Sequence, residues 1–227
     1  MQRSALVIAV GLLALAAVSA TATPNLAKRA LLDGKLSLLV PASFKHMSEE
    51  MLRVKYPSER RPTTVLTNPE GTVNVAVNHT QNSLRPAQLS EAHAAMDQMF
   101  RNMYPSAKWN QSEVVTINGR QFFVLDLRTP AIDTEIRNIM GGTSLDGRFL
   151  IITFNCTREL EPEWEAAGRR IIESASLPDQ AVGLPNKVIQ QTSNRAFQFG
   201  FGSFLASPAG VRSASEALLA AAERLIR

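Results

Sequence analysis

Apolar and polar residues alternate with two different periods along this chain, and the switches between them mark out its elements. In "TTVLTNPEGTVNVAVNHT", residues 63–80, Val73, Val75 and Val77 alternate with Asn74, Ala76 and Asn78. That period of two belongs to a strand with one strongly apolar face. Pro69 and Gly71 suit the second and fourth positions of a type I turn, so the segment predicts a hairpin. Over residues 86–104 the period lengthens: Leu89, Ala92, Met96, Met99, Phe100 and Met103 recur at steps of three and four. They form one stripe on a helix of about five turns. The bland account of its three methionines, gap-filling against a sheet, is preferred to an adaptable groove or a copper site. Two further hairpins follow, centred on Asn118-Gly119 and Asp146-Gly147, both strong two-residue turn signals. Gly141-Gly142, inside one of these strands, predicts a bulge or a close backbone approach.

The flanks complete the pattern. In "LLDGKLSLLVP" Asp33-Gly34 is a turn signal, and residues 35–40 read as a short strand closed by Pro41. Ser48 is a good N-cap for a short helix ending before Pro57, with Met47 and Leu52 placed as a hydrophobic staple. "TRELEPEWEAAGRRIIESASL" reads as the last helix of the domain, with Pro162 at its first position and Trp164, Ala167, Ile171, Ile172 and Ala175 on its buried stripe. Glu159, Glu161, Glu163 and Glu165 straddle its start, where carboxylates stabilise free N–H groups, and are read as that and no more. The order of strand, helix, hairpin, long helix, two hairpins and helix predicts an α+β fold over residues 31–177. In it an antiparallel sheet of six or seven strands is sandwiched between amphipathic helices.

Beyond it, residues 178–194 read as a linker, and Phe197, Phe199 and Phe201 alternate as in one more strand. Residues 213–227 read as an amphipathic helix with Leu218, Leu219, Ala222, Leu225 and Ile226 on one face. A lone helix of that length does not persist undocked. Docking on its own domain is the first reading. Contact with a membrane surface or a partner protein is the second.

Composition then narrows the setting. The first 22 residues carry a basic start at Arg3, an apolar run over residues 5–18, and Ala20 and Ala22 in an A-x-A arrangement. This is the pattern of a secretory signal peptide cleaved near Ala22, and it predicts an exported, periplasmic protein. The formal net charge is +4, with 24 basic against 20 acidic residues scattered along the chain, so nucleic acid is not an expected partner. One cysteine closes no intramolecular disulfide, and it lies far from the cleavage point where a lipid anchor would need it.

Candidate chemistry is sparse. His46, His79 and His93 sit on three separate elements without metal-ligand spacing, and no metal site or cofactor is expected. No nucleophile elbow, phosphate loop or dinucleotide motif occurs, so the expected function is not enzymatic. The competing reading is a small-molecule binder or a hydrolase using Cys156 and His79. In "FLIITFNCTRE" Cys156 shares a strand face with Ile152 and Phe154, which predicts a core residue. Sequons at Asn78, Asn110 and Asn155 are no more than chance supplies, and two of them fall on expected strands.

The opening "LLDGKLSLLVPASF", the asparagine-containing valine strand, the long helix, the paired hairpins and the final "W…IIESASL" helix together resemble the DcrB family. This is a bacterial envelope branch of the PsbP-like α-β-α sandwiches. The resemblance covers about residues 31–177, and its specific part is "LLDGKLSLLVP". It implies a non-catalytic binding or accessory domain that acts on other envelope proteins. A related version is a chaperone or immunity-type protein that masks a secreted partner. No catalytic residues define the family, so none is carried over.

Overall fold

The computed structural model describes residues 24–57, 61–131 and 133–178. The signal peptide and the C-terminal strand and helix expected from the sequence lie outside the described residues. β1 (Leu26–Leu31) and β2 (Leu36–Pro41) form a separate two-stranded sheet. β3 (Lys45–His46), α1 (Glu49–Lys55), β4 (Thr64–Thr67), β5 (Val73–Ser83) and α2 (Leu89–Met103) follow. β6 (Lys108–Ile117), β7 (Arg120–Pro130), β8 (Glu135–Leu145), β9 (Arg148–Thr157) and α3 (Glu161–Glu173) complete the fold. The main sheet has seven strands in the order β3-β4-β5-β9-β8-β7-β6, all antiparallel.

Local chemistry explains most boundaries. Ser48 caps α1, its Oγ accepting from the Met51 N–H at 3.2 Å. Asn118-Gly119 and Asp146-Gly147 all take positive φ, the left-handed conformation that two-residue hairpin turns require. α2 is preceded by a 3-10 turn at Pro86–Gln88.

Each face of the sheet has its own cover. On one, α3 and the β1–β2 hairpin bury the valines of β5, Ile152, Phe154 and Cys156 of β9, Ile139 of β8, and Phe122 and Val124 of β7. The hairpin is tied down where Ser174 Oγ accepts from the Leu39 N–H at 2.8 Å and where Phe44 meets Trp164 at a ring separation of 5.5 Å. On the other face α2 packs Leu89, Met96 and Phe100 over Phe123, Leu125, Met140, Phe149 and Ile151. Around α1, Met47, Tyr56, Val65 and Ala76 form a smaller cluster. On this same face lies a buried amide row: Asn74, Asn155 and Asn138 stand in register on β5, β9 and β8. Asn74 Nδ2 donates to Asn155 Oδ1 at 2.9 Å, and Asn138 Nδ2 to Thr129 Oγ1 at 3.1 Å.

The structure refines the sequence pattern at three places. β1 had no signal in the sequence, because "LAKRAL" lacks clean alternation and its pairing is supplied by β2. Met103, placed on the α2 stripe, is 40% exposed, since the sheet does not extend under the helix end. Gly141 and Gly142 pair regularly on both sides, so they form no bulge. The bulges lie between Trp109 and Gln111 in β6 and between His79 and Ser83 in β5. The glycines instead admit close packing, because a Cβ on Gly142 would stand 2.2 Å from the Phe123 ring. Gly142→Ala is therefore expected to lower stability by about 1–3 kcal/mol, read as a fall in the urea midpoint at unchanged slope.

Candidate functional site

Strand alternation brings charge into the α3-covered face. Asp126 follows Phe122 and Val124 in phase on β7, and Arg137 precedes Ile139 in phase on β8, so both point under α3. Both side chains are 0% exposed. Arg137 donates from Nε to Asp126 Oδ1 at 2.5 Å and from Nη2 to Asp126 Oδ2 at 2.7 Å, a bidentate pair. Its Nη1 donates to Glu161, and Nη2 also reaches Glu165 at 3.2 Å. Asn110 sits in the β6 bulge. With its amide turned to satisfy both partners, its oxygen accepts from Arg137 Nη1 at 3.1 Å and Nη2 at 3.0 Å.

A second shell of charge closes the set. Arg128 donates from Nε to Glu161 Oε2 at 2.7 Å, and Arg169 Nη2 lies 3.0 Å from Asp126 and 3.3 Å from Glu165. The Arg128 hydrogen bond, aided by the Arg137 charge and opposed by burial, holds the Glu161 carboxyl below its usual range. Further out, Lys108 Nζ and Arg158 Nη1 both meet Glu135, at 2.8 and 3.1 Å. The Lys108 bond keeps Glu135 low as well.

Above this set opens a polar cleft of about 460 Å³, lined by Lys108, Arg128, Glu135, Arg158, Glu161, Pro162 and Glu165. It lies where the starts of β6, β8 and α3 meet the end of β7. Three cations and three anions line it, so it has no net pull on a polyanion. It does offer fixed charges of both signs at defined positions.

The residues singled out from the sequence lie elsewhere. Cys156 is buried beneath α3. Burial, reinforced by the Glu161 charge, pushes its thiol up to about 12. Cys156 lies opposite Val73, six positions along β5 from His79, which puts the two residues roughly 20 Å apart. They do not form a nucleophile–base pair. His79 Nε2 lies 3.0 Å from the Leu145 carbonyl, and Arg148 Nη2 lies 3.0 Å from Nδ1, so Nε2 carries the proton it donates. His46 bonds Thr64, and His93 Nε2 bonds Ser112 Oγ at 2.9 Å.

Ser112 in turn donates to Asp97 Oδ1 at 2.5 Å. Burial works against the Asp97 charge, but the bonds from Arg101 and Ser112 outweigh it and hold this carboxyl low. Histidine, serine and aspartate are thus in contact in an order that leaves the serine, not the histidine, in the middle. The arrangement ties α2 to β6. Asn78, Asn110 and Asn155 all fall on strands, and Asn78 and Asn155 are buried.

The cleft residues escaped the sequence reading. Glu161 and Glu165 were attributed to helix-start electrostatics, whereas Glu161 is buried and bonded to two arginines. The available signal was Asp126 and Arg137, opposite charges at inward positions of apolar strands. Their union depended on the β7–β8 register, which places Arg137 opposite Arg128.

No protein-family model matches the chain, and no curated protein matches its sequence. In structure it is similar to cyanobacterial PsbP (CyanoP) from Synechocystis sp. PCC 6803, with a TM-score of 0.49, 9% identity, and coverage of 72% of this chain and 98% of that one. It is also similar to LpqN of Mycobacterium tuberculosis, described as involved in cell envelope biogenesis, with a TM-score of 0.44, 13% identity, and coverage of 67% and 90%. A third is PA94 from Pseudomonas aeruginosa, a putative regulator by its description, with a TM-score of 0.39, 14% identity, and coverage of 66% and 94%.

Arg137→Met is expected to destabilise the protein by about 3–5 kcal/mol, because it strands Asp126 and Glu161 as buried charges. Chemical denaturation at pH 7 measures this. Glu161 has a folded pKa below its ordinary 4.5. Its ionised form therefore stabilises the fold fully above about pH 4.5, and that contribution is lost as pH falls through the lower folded value. The stability gap between wild type and Glu161→Gln should accordingly be widest near pH 7 and narrow below pH 4. Cys156 should resist a thiol reagent under native conditions and react only at the rate of unfolding, which a timed mass-spectrometric labelling series reads directly.

Proposed function

We propose that this chain is an exported, non-catalytic binding or accessory domain of the bacterial cell envelope, of the DcrB kind, that works through contact with a protein partner. The observation that carries this reading is the mixed-sign cleft over the buried Arg137–Asp126–Glu161 set. Arg128, Glu161 and Glu165 are held from beneath by the buried set, while Lys108 and Arg158 stand exposed at the rim and pair with Glu135. A surface of three cations and three anions suits the mixed charges of a protein surface. Open and lined by six charged side chains, it differs from the enclosed, largely apolar pockets that hold small molecules.

Export is supported by the leader-like first 22 residues, and the envelope setting by the resemblance of "LLDGKLSLLVP". No helix among the described residues is long and apolar enough to cross a membrane. The hydrolase alternative is disfavoured by the burial of Cys156 and its separation from His79. The masking version, a chaperone or immunity-type role, shares the same surface and predicts a stoichiometric complex.

The test is capture of a partner from envelope extract by the mature protein, repeated with Lys108→Glu and Arg158→Glu together. These side chains are exposed, so the fold should survive their reversal. The reading expects one stoichiometric partner, weakened at least tenfold by the double reversal. Equal recovery by both proteins would reject the cleft as the contact surface.

A further inference from the structure

The seven-stranded sheet has two edges of very different length. One ends on β3, two residues long, and the other on β6, ten residues long and about 33 Å from end to end. Among the described residues β6 pairs with β7 alone, so its outer row of backbone N–H and C=O groups has no strand partner. Such a row is a template for another strand.

The side chains of β6 carry the same message. Trp109 and Val114 belong to the core column beneath α2, and Val115 to the column beneath α3, and all three are only partly buried. Ile117 at the far end is buried, but elsewhere the apolar residues of this last column are half-covered. The bulge between Trp109 and Gln111 guards only the Lys108 end of the strand, and from Gln111 to Ile117 the pairing is regular.

The course of the chain names an occupant. The carbonyl of Pro178, the last described residue, accepts a 2.8 Å hydrogen bond from Arg120 Nη2. Asn118, in the turn that joins β6 to β7, donates to the carbonyls of Glu173 and Ala175, so the chain leaves the domain near that turn. Residues 179–227 follow. They include "AFQFGFGSF", residues 196–204, where Phe197, Phe199 and Phe201 fall in phase and no proline interrupts. Seventeen residues, 179–195, separate it from Pro178, and at up to about 3.3 Å per residue that length reaches the regular part of the edge. Tethering raises its local concentration to the order of millimolar.

We propose that residues 196–204 add beside β6 as an eighth strand, closing the long edge of the sheet and laying their phenylalanine row against its half-covered column. This stands apart from the reading of the cleft, which lies at the opposite end of β6. The test is hydrogen exchange on the full mature chain at several protein concentrations, comparing wild type with Phe197→Ser/Phe199→Ser/Phe201→Ser. All three substitutions lie outside the described domain, and far-ultraviolet circular dichroism checks that it remains folded.

The β6 amides that point away from β7, over residues 111–116, should exchange at least tenfold faster in the triple variant, with wild-type protection independent of concentration. Equal exchange in the two proteins overturns the proposal. Protection that survives the substitutions and grows with concentration also overturns it, and assigns the edge to a second copy of the chain.

Discussion

The guanidinium of Arg137 fixes the arrangement of this protein more than any other single group. It lies in the α3-covered core, where an unpaired charge would be very unfavourable, and its donors are taken by Asp126 on β7, Glu161 and Glu165 on α3, and Asn110 on β6. Those contacts join the start of α3 to three strands and tolerate little movement of any of them. They also explain the irregularity of β6. The bulge at Asn110 delivers a further acceptor to a guanidinium that a regular strand would leave short of one. The cleft is the outer surface of the same set of bonds, and its geometry follows from the core beneath it.

The two faces of the sheet are organised on different principles. The α3 face is one continuous apolar core that becomes ionic at a single end. The α2 face holds two apolar clusters, with α1 tending one and α2 the other. Besides its apolar face, α2 is secured by a chain of polar contacts: His93 to Ser112, Ser112 to Asp97, Asp97 to Arg101, and Arg101 over the Trp109 ring at 4.1 Å. That chain holds β6 to the rest of the fold on the side opposite the ionic set.

Most of the architecture could be read from local pattern. The valine alternation of β5, the stripes of α2 and α3, and the two positive-φ turns each state their element within a few residues, and the antiparallel α+β sandwich follows from their order. What could not be read depends on partners distant in sequence. β1 becomes a strand because β2 is there to pair with it. Glu161 looks like an ordinary helix-start carboxylate until the β7–β8 register and the docking of α3 bring Arg128 and Arg137 to it. Gly141-Gly142 reads equally as a bulge or a close approach until the position of the Phe123 ring decides for the second. The cleft belongs to this second class, which is why no motif announced it.

The buried asparagines of β5, β9 and β8 have a consequence for how the sheet assembles. Alternation between faces rules out a slip of one residue between neighbouring strands, since that would turn an apolar column outward, but a slip of two leaves alternation intact. The amide row removes that degeneracy. Moving β9 by two positions against β5 would set Thr153 or Thr157 opposite Asn74 in place of Asn155, and would break the bond between the two amides. The valine pattern therefore sets the parity of the alignment and the asparagines set its absolute value, much as a vernier refines a coarse scale.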